Sequence, residues 1–342
     1  MSPSTSEPQS RWLRDARRRD LGVEPHQQLI VLASGADERS LLSLHPTLPE
    51  RLLADLPMDD YRVAVAPDPG LLPGGHHSLE MWMWTAIGNG LLVARPGEDW
   101  EATARAVIAA ADAVIGDGGA LTRYAASLGI PTAQATAAWI DTPTGEQRRP
   151  EFIVDGDRLL ARVRSLCATQ TRPGDLAPAV PDTVQELDDL ALAPQYRPTL
   201  SWRCEIQFGR GVVSWRRFPA QEIPWPDRSG HFVADARCLS VRARDRADLL
   251  IHHHDPLPEA EAREEAQIQL RYSPIAQAMA VRTSNDEMLL STRAGQNLRL
   301  RCRPELFAAA ASVWLAAGQP EIGVWELVRS SGGGPLSVQA WD

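Results

Sequence analysis

The chain has 342 residues, of which 44% are hydrophobic, and this length fits about two domains of roughly 100 to 200 residues each. Its formal net charge is −9 at pH 7, whereas proteins that bind nucleic acid usually carry a clustered basic surface, so we exclude DNA and RNA as partners. No apolar run approaches the roughly 18 residues of a membrane span, and no apolar secretion signal opens the chain. We therefore expect a soluble, cytoplasmic protein without a membrane span.

The first half of the chain predicts a basic N-terminal arm at residues 1–24 and an α/β domain at residues 25–170. Within that domain, short apolar runs alternate with helical stretches of about 10 to 15 residues. The runs are Leu29–Ala33, Tyr61–Ala66, Leu91–Ala94 and Ala113–Ile115, and the helical stretches are Leu48–Leu56, Ser78–Ile87, Trp100–Ala111 and Arg158–Cys167. Strands that are connected through helices form right-handed crossovers, so we predict a Rossmann-like parallel sheet.

A proline-rich linker at residues 171–198 precedes a smaller domain at residues 199–342. Polar and apolar residues alternate in Ser201–Phe208 and Val212–Phe218, which predicts antiparallel strands joined by a turn. Further strands are predicted at Ala276–Arg282, Met288–Thr292, Leu298–Arg301, Gly323–Val328 and Leu336–Trp341, and helices at Glu259–Leu270 and Pro304–Ala317. This pattern predicts a compact α+β domain with antiparallel strands.

The most informative segment is residues 111–131, ADAVIGDGGALTRYAASLGIP, in which a buried strand runs into a Gly-Gly turn and then a helix. The first N–H groups of a helix have no partner within it, and the helix dipole is positive there, so such a turn attracts phosphate. The candidate ligand-binding residues are Asp117, Gly118, Gly119, Thr122 and Arg123. The alternative is a purely structural helix start in which Asp117 is the N-cap.

These residues resemble the nucleotide-binding, C-terminal half of GT-B glycosyltransferase-like proteins, most closely the CDP-glycerol glycerophosphotransferase-like group. The stretches LIVLASGADERSLLSLHPTLPERLLADLP, YRVAVAPDPG, GGHHSLEMWMW and LLVARPGEDWEATARAVIAA follow in the order of that half-domain, and the resemblance covers about residues 18–135. The resemblance implies a nucleotide-diphosphate ligand linked to a sugar or polyol, and no other cofactor.

Several features of the family are absent from this chain. In the family, hydroxyl residues, or a His and a Ser, follow the Asp and hold the donor phosphates, whereas this chain has Gly118, Gly119 and Ala120. The family's His-Pro pair, which supplies a catalytic imidazole, is replaced by Ala66-Pro67. We also expect no counterpart of the family's separate acceptor domain, because the first strand begins at Leu29. The sequence therefore favours a degenerate, non-catalytic module that recognises a nucleotide or nucleotide-sugar and is fused to an interaction domain.

Two alternatives stay open. In the first, the chain is an active GT-B-type glycosyl- or glycerophospho-transferase completed by a homodimer or a partner subunit, with His76 and His77 as catalytic base or phosphate ligand. The competing interpretation is that these two are ordinary histidines of a surface loop. In the second alternative, the tryptophan-rich second domain makes the chain a protein-docking scaffold in a bacterial multi-protein system.

A run of three histidines, His252 to His254, is followed by Asp255 and has the composition of a metal cluster. On a strand, His252 and His254 would point to one side and His253 to the other, so at most two would share a face. Zinc needs three or four ligands, and no fourth is evident in the sequence. The sequence therefore predicts no metal site.

Overall fold

The computed structural model describes residues 6–68, 86–94, 100–135, 140–141, 147–148, 159–168, 201–209, 212–219, 230–238, 241–320, 323–329 and 332–340. The chain divides into two compact units. The first unit comprises Met1–Leu56 and Asp60–Pro198, and the second comprises Pro57–Asp59 and Thr199–Asp342. The predicted linker at residues 171–198 and most of the predicted helix at Ser78–Ile87 lie outside the described residues.

The first unit contains a five-stranded sheet in which every pair of neighbours is parallel. Its strands are β1 (Gln28–Ser34), β2 (Tyr61–Pro67), β3 (Leu92–Val93), β4 (Ala113–Gly116) and β5 (Thr132–Gln134). Their spatial order is β3-β2-β1-β4-β5, so the winding direction reverses between β1 and β4. The prediction of an α/β fold with a Rossmann-like parallel sheet is confirmed at this level.

Helices cover both faces of this sheet. They are α1 (Ser6–Asp20), α2 (Leu41–Leu44), α3 (Leu48–Asp55), α4 (Trp100–Ala109), α5 (Ala120–Ser127) and α6 (Leu159–Ala168), and a two-stranded sheet joins β6 (Ile140–Asp141) to β7 (Gln147–Arg148). Alternate residues of β1 enter separate cores, because successive strand residues point to opposite faces. Ile30 and Leu32 pack with the helix leucines Leu48 and Leu52, whereas Val31 packs with α4.

A buried carboxylate fixes helix α1 to the sheet. Arg18 Nη1 and Leu29 N donate to Asp112 Oδ2 at 2.6 and 2.7 Å, and Arg14 Nη2 donates to Oδ1 at 2.6 Å. Burial raises the pKa of Asp112, but the Arg18 guanidinium, the Leu29 amide and Arg14 outweigh that effect and hold the pKa below its usual range. The basic N-terminal segment is therefore held by charge as well as by packing.

The second unit is built on a nine-stranded sheet that closes on itself in the order β10-β11-β12-β13-β14-β16-β15-β9-β8, with β8 pairing back to β10. The strands are β8 (Ser201–Phe208), β9 (Val212–Pro219), β10 (His231–Asp235), β11 (Leu249–His252), β12 (Ala278–Arg282), β13 (Glu287–Thr292), β14 (Asn297–Arg301), β15 (Gly323–Arg329) and β16 (Gly332–Ala340). The described helices are α7 (Val241–Arg246), α8 (Glu259–Tyr272) and α9 (Phe307–Ala316).

The prediction of antiparallel strands in this unit needs a correction, because the sheet is mixed. Most pairs are antiparallel, but β10–β11, β11–β12 and β9–β15 are parallel. The sequence pattern does not predict β10, nor α7, which connects it to β11. With α8 they form a β10-α7-β11-α8-β12 segment, and crossover connections of this kind place successive strands parallel.

Helix α9 packs in the same hydrophobic core as the apolar side chains of the closed sheet. It is apolar all round, as expected for a fully buried helix, and Phe307 and Trp314 are both 0% exposed. Trp202 and Trp215 belong to this core, so their packing is structural. Helix α8 packs on the other face through Ala262, Ala266 and Leu270.

The structure also shows the state of the cysteines and the character of the helices. All four cysteines lie within the described residues, are buried and form no disulfide. Burial raises the pKa of Cys204 to about 12, so its thiol is protonated at neutral pH. Across the described ranges, we find no helix with both the length and the apolar character needed to traverse a bilayer.

Candidate functional site

The first candidate site lies at the edge of the parallel sheet where the strand order reverses. Strands β1 and β4 are paired so that Ala33 lies beside Gly116, which brings the loops after these strands together. In parallel α/β sheets, ligands bind outside the carboxyl ends of the strands at this reversal. We call Gly35 and residues 117–123 the switch-point site.

The Asp117 carboxylate accepts three backbone hydrogen bonds. Its Oδ2 accepts from Gly35 N at 2.6 Å and from Leu41 N at 3.3 Å, and its Oδ1 accepts from Gly119 N at 2.9 Å. Because Leu41 begins α2, one carboxylate holds both the start of α2 and the Gly-Gly turn. The N-cap of α5 is Gly119, so the alternative in which Asp117 is the N-cap is wrong by two positions.

The local geometry favours glycine at both positions of the turn. Gly118 has φ of +81°, and a Cβ there would lie 2.4 Å from Gln134 Nε2. A Cβ on Gly119 would lie 2.8 Å from Asp117 Oδ1. A side chain at Gly118 would be strained by the positive φ, and one at Gly119 would displace the Asp117 carboxylate from its position. With glycine at both positions, the turn presents backbone atoms to a ligand.

Three backbone N–H groups at the start of α5 are available to a ligand. Within the described residues, the amides of Gly118, Ala120 and Leu121 donate to no other group. Ala120 is exposed, and Gly118 and Leu121 are half-buried. These donors lie at the positive end of the α5 dipole, where an anion is stabilised.

The remaining two candidates of the turn differ in accessibility. Thr122 Oγ1 is shielded from solvent, has no hydrogen-bond partner among the described residues, and lies 2.0 Å from where a Cβ on Gly116 would be. Its hydroxyl is therefore packed against the end of β4. Arg123 is exposed, and its Nη1 donates to Gly118 O at 2.9 Å, so the guanidinium lies beside the turn.

His76 and His77, the catalytic candidates of the transferase alternative, lie outside the described residues. At the switch-point site, the carboxylate of Asp117 is already engaged by three amides. The described part of the site is therefore suited to holding an anion by its backbone.

A second polar cluster lies in the second unit, at the carboxyl ends of β10 and β11. Asp235 ends β10, is 0% exposed, and pairs with Ile251 of the parallel strand β11. Its Oδ2 lies 2.7 Å from His254 Nε2 and 3.4 Å from His253 Nδ1. Its Oδ1 accepts a hydrogen bond from Arg237 N at 2.8 Å. We call Asp235, His253 and His254 the His-Asp cluster.

The predicted alternation of the three histidines is wrong, because β11 ends at His252. His253 and His254 follow the strand, where the two-residue alternation of side chains no longer holds, and both rings approach Asp235. Their ring centroids are 4.0 Å apart. Arg282 of the neighbouring strand β12 donates from Nη1 to His254 O at 2.6 Å and so fixes this loop.

The surroundings of His253 favour its neutral form. Burial and the adjacent His254 lower the pKa of His253 to about 4, against the opposing effect of Asp235 and with a further contribution from Arg217. The ring stands edge-on to Trp202, with 6.3 Å between centroids. Its Nδ1 is buried and has no hydrogen-bond partner among the described residues.

Sequence reasoning missed Asp235. The available signal was the segment His231–Asp235, HFVAD, in which a carboxylate directly follows an apolar run. Its relation to the histidines depends on the parallel pairing of β10 with β11, which no local pattern indicates.

Comparisons with protein-family models, with curated proteins and with solved structures found no match to this chain. The resemblance of residues 18–135 to the GT-B half-domain therefore stays a prediction.

Proposed function

We propose that the first unit is a non-catalytic module that recognises a nucleotide, or a nucleotide-linked sugar or polyol, through its diphosphate. The observation that carries this proposal is the set of three unengaged amides, of Gly118, Ala120 and Leu121, at the reversal of strand order. Parallel sheets bind ligands at that edge, and helix N-termini bind phosphate there.

The charges around the turn support an anionic ligand. The chain as a whole carries a formal charge of −9, yet the start of α5 combines the helix dipole with the guanidinium of Arg123. The Asp117 carboxylate accepts hydrogen bonds from the backbone amides of Gly35, Leu41 and Gly119. Its negative charge is therefore paired with donors of the loops. A diphosphate at the turn would accept from the amides and pair with Arg123.

The same contacts favour recognition over turnover. A general base must lie within hydrogen-bond reach of the proton that it removes. Both oxygens of Asp117 accept backbone hydrogen bonds, and the Thr122 hydroxyl is shielded from solvent. In this proposal, Asp117 shapes the turn, Thr122 packs α5 against β4, and the amides hold the ligand.

The substitution Ala120→Pro tests the proposal because it deletes one of the three N–H donors without altering the helix. Proline is well accepted at the first position of a helix. The preceding Gly119, with φ −66° and ψ −170°, has the extended conformation that a following proline requires. We expect calorimetric titration with CDP, CDP-glycerol or UDP-sugars to show affinity weakened about 10- to 100-fold, the cost of one hydrogen bond to a charged group.

Ala120→Ser is the matched control, since it keeps the N–H at the same exposed position. It should bind as the unchanged chain does, and circular dichroism should show the same fold for both variants. Equal affinity in Ala120→Pro and Ala120→Ser would contradict the assigned donors. If no nucleotide compound gives a heat of binding, ligand recognition is contradicted. The remaining hypothesis is then the protein-docking scaffold.

A further inference from the structure

We propose that the His-Asp cluster of the second unit is a binding site for a divalent transition metal ion of the zinc type. The proposal is independent of nucleotide recognition, because it concerns only the second unit. Asp235, His253 and His254 each offer one ligand atom, and these atoms all lie within 4.8 Å of one another. Imidazole nitrogen and carboxylate oxygen are the donors that zinc and its neighbours in the first transition row prefer.

One distance within the cluster matches that of a tetrahedral centre. Zinc binds nitrogen and oxygen at about 2.0 to 2.1 Å, which places two ligand atoms about 3.3 Å apart. Asp235 Oδ2 and His253 Nδ1 are 3.4 Å apart, too far for a good hydrogen bond and suited to sharing an ion. His254 Nε2 is 2.7 Å from the same oxygen, so a metal ion would take the place of the proton that the two atoms share.

The fold positions the three ligands at the ends of two neighbouring strands. Asp235 ends β10, His253 and His254 follow β11, and Arg282 of β12 holds His254 through its carbonyl oxygen. The carboxylate is fully buried, and its Oδ1 accepts the Arg237 amide at 2.8 Å, which orients it. Such outer hydrogen bonds orient metal ligands in known sites.

The buried Nδ1 of His253 is an independent sign of a missing partner. It makes no hydrogen bond to any described residue and faces Asp235 Oδ2. Buried polar atoms usually have a partner, and a bound ion would supply one. The side chains of His253 and His254 are 25% and 28% exposed, so a solvent oxygen can reach the fourth position of a three-ligand site.

The positive charge of Arg237 opposes the ion. The Arg237 guanidinium contacts His254 Nε2 and lies 3.3 Å from Asp235 Oδ1 through its Nε, but its side chain is 49% exposed and can turn towards solvent. Removing this charge with Arg237→Gln should tighten metal binding on the order of tenfold, as expected for one unit charge acting on a divalent ion at about 6 Å in water-like surroundings.

The test is a zinc titration of the full chain, free of any affinity tag and stripped with a chelator, against a chromophoric competitor. We expect one Zn²⁺ per chain and an affinity loss of at least about 100-fold in His253→Ala and in His254→Ala. Co²⁺ in place of Zn²⁺ should give the visible absorption of a tetrahedral site in the unchanged chain but not in His253→Ala or His254→Ala.

His252→Ala is the matched control, because it removes the neighbouring imidazole of the same run while leaving the His-Asp cluster intact. His26→Ala removes an exposed histidine of the first unit. Both controls should keep zinc affinity. Zinc binding that is absent from the unchanged chain, or equal in His253→Ala and His252→Ala, would overturn the site. Asp235→Asn, which preserves shape, should lose affinity without unfolding and so separates ligation from stability.

Discussion

At the scale of single residues, Gly118 shows how backbone geometry can fix the residue type at one position. Its φ of +81° lies in the left-handed region, and Gln134 occupies the space where a side chain would be. The sequence indicates a Gly-Gly turn but gives no reason for the two glycines. The structure supplies one, because Asp117 and Gln134 pack against the turn from either side.

Gly118→Ala is expected to destabilise the first unit by about 1 to 3 kcal/mol, since the new Cβ meets Gln134 Nε2 and alanine is strained at positive φ. Urea denaturation followed by far-ultraviolet circular dichroism measures this loss. The double variant Gly118→Ala with Gln134→Ala removes the clash but keeps the strain, so it should recover only part of the stability. Full recovery would mean that φ at this position costs nothing.

The wrong prediction that His252 to His254 alternate along a strand is also explained at the scale of single residues. The expectation that His252 and His254 share a face assumes that a strand continues through His254. The apolar run Leu249–Ile251 supports a strand only as far as its pairing with β10 and β12 extends, and those ladders end at Ile251 and His252. Strand ends of this kind are set by tertiary pairing, which local alternation cannot report.

At the scale of elements, hydrogen bonds to the Asp112 carboxylate attach the N-terminal helix α1 to the parallel sheet. Asp112 receives hydrogen bonds from Arg14, Arg18 and Leu29, and Arg18 is itself only 6% exposed. A carboxylate with a lowered pKa stabilises the fold in its charged form. That stabilisation is complete above the unfolded-state pKa of about 4 and is lost as the pH falls through the lower folded-state pKa.

Asp112→Asn should therefore lower stability at neutral pH by about 3 kcal/mol, because Arg18 stays buried without its carboxylate. Hydrogen exchange in residues 6–20 should accelerate first. The variant should also lose less stability than the unchanged chain as the pH falls towards about 3, since asparagine does not titrate. Parallel stability curves for the two proteins across this acid range would refute the role given to Asp112.

Other elements show which secondary structure a local sequence pattern can predict. The strands β1, β2, β8 and β9 and the helices α3, α8 and α9 all occur within a few residues of their predicted bounds, because each has a clear apolar period or a continuous apolar run. Strand β10 and helix α7 are short. The position of β10 in the sheet is set by its pairing with β8 and β11. The His-Asp cluster depends on that pairing, so the sequence could predict the switch-point turn but not this cluster.

At the scale of the whole molecule, the two units differ in how much of their organisation the sequence reveals. The alternation of strands and helices in the first half predicts a parallel sheet, and the observed order places the Gly-Gly turn at its reversal. The second unit also includes Pro57–Asp59, for which the sequence holds no signal. There Asp59 accepts from Arg217 Nε at 3.0 Å, and Arg217 stacks near Trp202 and Trp215.

The most direct test of ligand recognition at the switch point is a nuclear magnetic resonance titration of the ¹⁵N-labelled full chain with CDP. We expect saturable shifts that are largest for the amides of Gly118, Ala120 and Leu121, with no comparable shifts in the second unit. Saturable shifts confined to other residues, or amides of the turn that do not respond to CDP or UDP-sugars, would contradict this recognition.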